Sequence, residues 1–164
     1  MASLLERASY WAARVTNIVV VLAAAVMMTA LILQVFSRYL FNTSLTWSEE
    51  LALILFTWTT LLAATSALRD GAHVRLDLVL SLLPEGARGI AQRVIMLLIL
   101  AFCLILAWSG WTYTTSTMGQ VSAAMRLPIE VLHLAAPVCG LLGALHALAR
   151  LFRPAEADAG ELIG

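Results

Sequence analysis

Charge is scarce in this chain, and its scarcity argues against several classes of function. Charged residues make up 12% of the sequence and hydrophobic residues 62%, whereas soluble domains have about 25% and 45–50%. Lysine is absent, all ten basic residues are arginine, and the net charge is zero. Because nucleic-acid binding needs a strongly basic surface, and no basic cluster is present, we expect no nucleic-acid partner.

Motifs for catalysis, cofactor binding and metal binding are also missing. The sequence has no glycine-rich phosphate loop, no HExxH, no Cys-x-x-Cys pair and no recognisable serine–histidine–aspartate constellation. Its two cysteines, Cys103 and Cys139, fall inside long apolar runs, where we expect them to act as small buried hydrophobic residues. The sequence therefore predicts a protein that is not an enzyme and has no catalytic, cofactor-binding or metal-binding residue.

Long apolar runs dominate what is present. They cover residues 15–36, 51–68, 90–113 and 129–151. A helix needs about 20 residues to cross a hydrocarbon core of roughly 30 Å, and each run meets or nearly meets that length. We therefore predict an all-α integral membrane protein. A single four-helix transmembrane domain would cover residues 1–153, and residues 154–164 would form a disordered tail.

The arginines predict the orientation of these spans. Eight of the ten lie in the N-terminal segment, in the loop between the second and third runs with its flanks, and at the C-terminal end. Arg38 and Arg126 remain for the other side. Because arginine-rich loops stay in the cytoplasm, both termini are predicted to be cytoplasmic, and loops one and three to face outward.

Loop one, over residues 37–48, is dense in aromatic and polar side chains. Thr46 precedes Glu49 by three residues, which is the spacing of a capping box, and acidic residues suit a helix N-terminus. Two interpretations remain open. In the first, the loop is a helix cap with aromatic anchors at the membrane interface. In the second, its residues form a docking surface or an internal lock between Arg38 and a carboxylate.

The loop between the second and third runs contains a short amphipathic segment. A helix would place His73 and Asp77 on one narrow polar stripe and leave the rest of its surface apolar. Such a helix must lie in the membrane interface or against a partner. A strand also fits the alternation, but its edges would be unpaired beside a bilayer, so we predict a short interfacial helix on the cytoplasmic side.

The spans themselves hold few ionisable groups. No carboxylate lies near the middle of any run, although a proton- or cation-coupled transporter working alone would be expected to have one. Glu130 and His133 lie near the outer end of the fourth run, and His146 lies toward its inner end. The two histidines are thirteen residues apart, roughly 20 Å along a helix, so they cannot share one metal ion, and we expect interfacial or packing roles.

Two features of the fourth run predict its shape and packing. Pro137 lies inside the run, so we predict a kink near residues 134–136. Gly140 and Gly143 each precede an alanine by four residues, and such small-residue pairs allow neighbouring helices to approach closely.

Three segments together carry a family pattern. Residues 34–42 contain Arg-Tyr and a following Asn, residues 45–50 contain Trp-x-Glu-Glu, and residues 69–77 contain His-x-x-x-Asp. This combination closely resembles the small, DctQ-type membrane subunit of tripartite ATP-independent periplasmic (TRAP) transporters, and the likeness covers about residues 5–152. One departure falls at residues 62–64, where many relatives carry glycine.

The resemblance implies a subunit of the bacterial cell inner membrane. Its partners would be membrane lipids, a large twelve-span permease subunit and a periplasmic substrate-binding protein. The large subunit would carry the substrate and sodium sites and move as an elevator, so no sodium ion or other cofactor is expected on this chain. The small subunit would be a static scaffold in the uptake of an organic acid. The candidate interface or structural residues are Arg38, Tyr39, Asn42, Trp47, Glu49, Glu50, Arg69, His73 and Asp77.

Two other classes of membrane protein fit less well. A respiratory membrane anchor that binds haem or quinone needs histidines at matching depths on different helices, and His133 and His146 share one run. A small self-assembling exporter would need a glutamate in the middle of its first span. The first run has only apolar and small residues at that depth.

Overall fold

The structure, a computed structural model, describes residues 2–69 and 85–152. Its helices are α1 (Ala2–Leu40), α2 (Thr46–Arg69), α3 (Glu85–Ser116), α4 (Glu130–His133) and α5 (Ala135–Leu151). Four helical stretches are long and apolar enough to cross a membrane, with α4 and α5 together forming the fourth, so the predicted fold class is confirmed. The predicted interfacial helix with His73 and Asp77, and the predicted tail, lie outside the described residues.

The helices extend beyond the apolar runs that predicted them. α1 contains 39 residues and is therefore about 58 Å long at 1.5 Å per residue, nearly twice the thickness of a hydrocarbon core. The predicted span began at Val15 because Arg7 and Arg14 interrupt the apolar pattern before it. Long charged side chains can reach water from the end of a spanning helix, so these arginines do not end the helix itself.

The spanning helices pack in a row in the order α1, α2, α5, α3. α1 packs mainly against α2 and α3 mainly against α5, while α2 and α5 meet in the middle and α1 makes a smaller contact with α5. Burial follows this order. In the most apolar part of each span, 6% of residues are buried in α1 and 11% in α3, against 28% in α2 and 44% in the fourth span. The two end helices therefore present wide apolar faces outward.

The fourth span is interrupted where Pro137 predicts a kink. α4 ends at His133, and α5 begins two residues later. Proline has no N–H group, so the His133 carbonyl loses its partner one turn later. The flanking hydrogen bonds remain, from the Leu134 N–H to Glu130 O at 2.8 Å and from the Val138 N–H to Leu134 O at 3.2 Å. The interruption is therefore local, and the span continues through it.

α3 and α5 approach each other most closely at two glycines of α5. A Cβ atom on Gly140 would lie 2.6 Å from the nitrogen of Ala107 and 2.7 Å from the carbonyl oxygen of Cys103. A Cβ atom on Gly143 would lie 2.7 Å from the Cys103 Sγ atom. These contacts are too short for any side chain, which confirms the predicted small-residue packing. Both cysteines are unpaired thiols and buried, as predicted.

Replacing Gly140 with alanine is expected to destabilise the protein, because the new methyl group would collide with the backbone of α3. Overpacking of this kind costs about 1–3 kcal/mol. Gly89→Ala is the matched control, since a Cβ there meets nothing within 4 Å and alanine is the better helix former. Thermal unfolding of both variants in detergent, followed by circular dichroism, measures the difference. An unfolding temperature for Gly140→Ala that equals or exceeds that of Gly89→Ala would contradict the close contact.

Candidate functional site

The candidate residues lie at both ends of the molecule. Arg69 is the last residue of α2, at the end where α1 begins and α5 finishes, and its guanidinium carbon lies 5.1 Å from the centre of the Tyr10 ring. His73 and Asp77 lie outside the described residues. The remaining candidates lie at the opposite end, which we call the outer end and define by the non-helical part of loop one (residues 41–45) and by loop three (residues 117–129). The outer-end candidates are Arg38, Tyr39, Asn42, Trp47, Glu49 and Glu50.

Loop one is a tight turn built on the end of α1. The Ser37 carbonyl accepts hydrogen bonds from the N–H groups of Phe41 at 3.0 Å and Thr43 at 3.4 Å. The Ser37 hydroxyl also donates to the Thr43 carbonyl at 3.1 Å. Asn42 has a φ of 50°, in the left-handed region that asparagine tolerates better than most residues. Asn42 therefore has a backbone role in reversing the chain.

Glu49 joins α2 to α1. Its Oε1 atom accepts a hydrogen bond of 2.6 Å from the Gln34 side-chain amide. Thr46 is already the first residue of α2, and the Ser48 hydroxyl donates back to the Leu45 carbonyl at 2.6 Å. Glu49 therefore does not act as the acidic residue of a capping box with Thr46. Its side chain instead joins two neighbouring helices.

Glu50 holds loop three. Its Oε2 atom accepts two backbone hydrogen bonds, from the N–H of Ala124 at 2.8 Å and from the N–H of Met125 at 3.0 Å. A carboxylate that accepts from two successive N–H groups fixes both the position and the direction of that backbone. The first turn of α2 thereby fixes a loop more than seventy residues further along the chain.

Loop three is itself a folded hairpin. The Ser122 N–H donates to the Leu127 carbonyl at 2.9 Å, and the Ile129 N–H donates to the Gln120 carbonyl at 3.0 Å. The reversal between them uses Arg126, whose φ is 53°. The loop thus pairs part of its own backbone, and Glu50 and Glu130 accept from three further N–H groups, as irregular backbone beside a membrane requires.

Further hydrogen bonds attach loop three and α2 to the fourth span. The Gly119 N–H donates to the Glu130 Oε1 atom at 2.8 Å, and the Trp58 indole N–H donates to the Val131 carbonyl at 2.8 Å. His133 Nδ1 lies 2.8 Å from the Thr117 hydroxyl, and its ring lies 4.5 Å from that of Tyr113. The packing role predicted for His133 is confirmed.

These interactions form one set, which we call the outer network. It consists of the hydrogen bonds Gln34–Glu49, Glu50–Ala124, Glu50–Met125, Trp58–Val131, Gly119–Glu130 and Thr117–His133. It connects α1 to α2 and α2 to loop three. It also connects α2 and loop three to the fourth span. The network is structural, since its side chains form hydrogen bonds to the backbone of loop three and to neighbouring helices.

The remaining outer-end candidates lie outside this network. Arg38 is exposed, Tyr39 is 83% exposed, and Trp47 lies beside a shallow apolar groove of about 300 Å³ that includes Thr29 and Leu33 of α1. Within residues 2–69 and 85–152, Arg38 makes no ion pair with a carboxylate, and the two glutamates have other partners. The Arg38 lock is thus not formed, and Arg38 and Tyr39 define a separate exposed patch.

Sequence analysis missed the partners of the two glutamates. Gln34, Trp58 and the backbone of loop three carry no local signal of their roles, because each acts through a contact distant in sequence. The available signal was the excess of polar residues in loop one over what a helix cap requires.

Comparisons with known proteins agree on one family. The family model described as "Tripartite ATP-independent periplasmic transporters, DctQ component" matches residues 27–157, which is most of the chain. A putative TRAP transporter small permease protein of Haemophilus influenzae is 24% identical over 127 residues, covering 77% of this chain and 79% of that protein.

Two other relatives match over shorter segments. The sialic acid TRAP transporter permease protein SiaT of Haemophilus influenzae is 38% identical over 76 residues, which are 46% of this chain and 12% of SiaT. The C4-dicarboxylate TRAP transporter small permease protein DctQ of Vibrio cholerae is 29% identical over 79 residues, 48% of this chain and 34% of that protein. The match thus spans only a small part of SiaT and about a third of the Vibrio protein.

Replacing Glu50 with alanine is expected to release loop three, because Ala124 and Met125 lose their shared acceptor. Hydrogen–deuterium exchange at these two amides should become severalfold faster, while the helices keep their protection. Glu49→Ala is the matched control, since among the described residues the neighbouring carboxylate bonds to the Gln34 side-chain amide and not to loop three. Glu50→Gln, which keeps one carbonyl oxygen, should give an intermediate rate. Equal exchange of loop three in Glu50→Ala and Glu49→Ala would contradict the assigned role.

Proposed function

We propose that this chain, which belongs to the DctQ component family of tripartite ATP-independent periplasmic transporters, is a fixed scaffold for a large permease subunit. In this proposal the large subunit carries the substrate and sodium sites and moves as an elevator against the scaffold. A periplasmic binding protein delivers the substrate, an organic acid. The names of two relatives, a sialic acid TRAP transporter permease and a C4-dicarboxylate TRAP transporter small permease, support that substrate class.

The observation that carries the scaffold proposal is that four threonine hydroxyls in the spans bond within their own helices. A sodium site needs several oxygens that converge on one point, often with carbonyls freed by a broken helix. Among the described spans, the hydroxyls of Thr29, Thr57 and Thr112 donate to carbonyls four residues earlier in their own helices, at 2.8, 2.9 and 3.0 Å. The Thr65 hydroxyl donates to the Leu62 carbonyl, three residues earlier, at 2.8 Å. Side chains bonded within separate helices support a structural role for this chain.

The row arrangement supports a large membrane-embedded partner. The outward faces of α1 and α3 are apolar in the most hydrophobic part of each span, with Leu22 of α1 61% exposed and Ile105 of α3 67% exposed. A row of helices with unpartnered faces at both ends widens an adjoining subunit more than a closed bundle of equal size would. In SiaT, this chain matches a small part of a much longer permease protein, which favours a partner of that kind.

The exposed patch of Arg38 and Tyr39 is the proposed contact with the binding protein. Both side chains are exposed near the end of α1, which the Gln34–Glu49 hydrogen bond attaches to α2. Arginine and tyrosine are enriched at the centres of protein interfaces. The patch and the outer network therefore have different roles: the network positions the surface, and the patch makes the contact.

The division of labour between subunits is testable by reconstitution into liposomes. The purified chain alone should show no sodium-dependent uptake and no organic-acid binding by calorimetry. Adding the large subunit and the binding protein should produce uptake. In that complete system Arg38→Ala should weaken the response to the binding protein, whereas Arg14→Ala, at the other end of α1, should not. Saturable substrate binding to this chain by itself would refute the scaffold proposal.

The proposed location is the bacterial inner membrane, with both termini in the cytoplasm. In a variant with Cys103 and Cys139 replaced by alanine, single cysteines at the exposed positions Ser44 and Ala123 should react with an impermeant maleimide added to spheroplasts. A cysteine at Ala8, near the start of α1, should react only after the membrane is opened. Labelling of the Ala8 position in intact spheroplasts would overturn the orientation.

A further inference from the structure

The end of the molecule opposite the outer end, which we call the inner end, contains a cavity that the scaffold role does not use. It has a volume of about 470 Å³ and lies between the N-terminal turns of α1 and the ends of α2 and α5. This volume is within the range of ligand pockets, roughly 300–1,000 Å³. The side chains that give it its chemistry are Glu6, Arg7, Tyr10, Trp11, Arg69 and Arg150.

The charge of the cavity selects an anion. Three arginines and one glutamate line it among the described residues, which leaves a net positive charge of two at neutral pH. Arg69 and Arg150 end the second and fourth spans, while Arg7 comes from the start of the first. Three separate elements thus bring guanidinium groups to one place in a chain that contains ten arginines in all.

Two of these arginines are positioned before any ligand binds. Arg150 donates a hydrogen bond of 3.1 Å from its Nη1 atom to the Leu68 carbonyl near the end of α2, which uses one of its five N–H donors. Arg69 lies over the ring of Tyr10, and the hydroxyl of Tyr10 accepts a hydrogen bond of 3.4 Å from Arg14 Nη1. Side chains held in this way lose less entropy when they bind a ligand.

The wall of the cavity is also fixed. The Ser9 hydroxyl lies 2.8 Å from His146 Nδ1, and both side chains are buried. This contact holds the first turns of α1 against α5, so the distance across the cavity is set by the fold. His146, for which the sequence predicts an interfacial or packing role, is the residue that fixes this wall.

We propose that this cavity binds the phosphate group of an anionic phospholipid. The planar fork of arginine matches phosphate geometry with paired hydrogen bonds, and basic pockets between spanning helices suit lipid headgroups. Tyr10 and Trp11, 46% and 59% exposed, lie beside the cavity. Such aromatic side chains favour the headgroup level of a bilayer. A cavity at that level is open to phospholipid headgroups, so we infer a lipid and not a soluble phosphate as its ligand.

Lipid titration followed by native mass spectrometry tests this proposal on the purified full-length chain. Phosphatidylglycerol should bind more tightly than phosphatidylcholine. Arg7→Gln and Arg150→Gln should each weaken phosphatidylglycerol binding by about fivefold, the contribution of one arginine near an anionic surface. Arg93→Gln, which removes an exposed arginine of α3 away from the cavity, should leave binding within about twofold of the wild type.

Controls keep the result interpretable. Circular dichroism checks that each variant is folded, and Arg7→Gln carries the test if Arg150→Gln is unfolded, since Arg7 is exposed. Equal binding of the two lipids by the wild-type chain would overturn the proposal, as would equal losses in Arg7→Gln and Arg93→Gln. Displacement of phosphatidylglycerol by millimolar inorganic phosphate would also overturn it and would indicate a site for a soluble anion. None of these outcomes depends on transport activity.

Discussion

Close contact between the backbones of α3 and α5 is the constraint on which the rest of the structure depends. In lipid, burial of apolar surface does not drive helices together, so packing distance and polar contacts must do so. Gly140 brings α5 against the backbone of α3 at Ala107 and Cys103, and α5 in turn contacts α2. The helix row is therefore built outward from α5. This order explains why the fourth span is the most buried and why α1 and α3 keep free apolar faces.

The outer network fixes the position of loop three relative to the packed helices. Irregular backbone beside a bilayer is tolerated when its polar groups are satisfied, and loop three meets this condition through its own hairpin and through Glu50. The same bonds that satisfy the loop also fix it to α2 and to Glu130 of the fourth span. A scaffold needs this property, because a surface can position a moving partner only if it does not itself move. The exposed Arg38 and Tyr39 are carried on that fixed frame.

Sequence reasoning predicted the features that depend on local pattern. Apolar length predicted four spans, Pro137 predicted the interruption of the fourth, and Gly140 and Gly143 predicted a close helix contact. It did not predict the partners of Glu49 and Glu50. A carboxylate at the start of a helix is also typical of a helix cap, so the local pattern does not indicate a distant partner. Only the fold brings Gln34 and loop three within hydrogen-bonding distance of these two residues. The predicted first span, residues 15–36, lies inside the longer helix α1, since arginines end an apolar pattern without ending a helix. The cavity at the inner end arises from three separated segments, so no single motif indicates it.

The central claim is that the helix row stays fixed while its partner moves. Spin labels at the exposed positions Ala8 of α1 and Ile90 of α3 would report the distance across the row by pulsed electron paramagnetic resonance in the assembled transporter. A fixed scaffold predicts one narrow distance distribution that is unchanged by sodium or by substrate-loaded binding protein. A label moved from Ile90 to the large subunit should shift under the same conditions. A shift or a second population between Ala8 and Ile90 during transport would contradict the account.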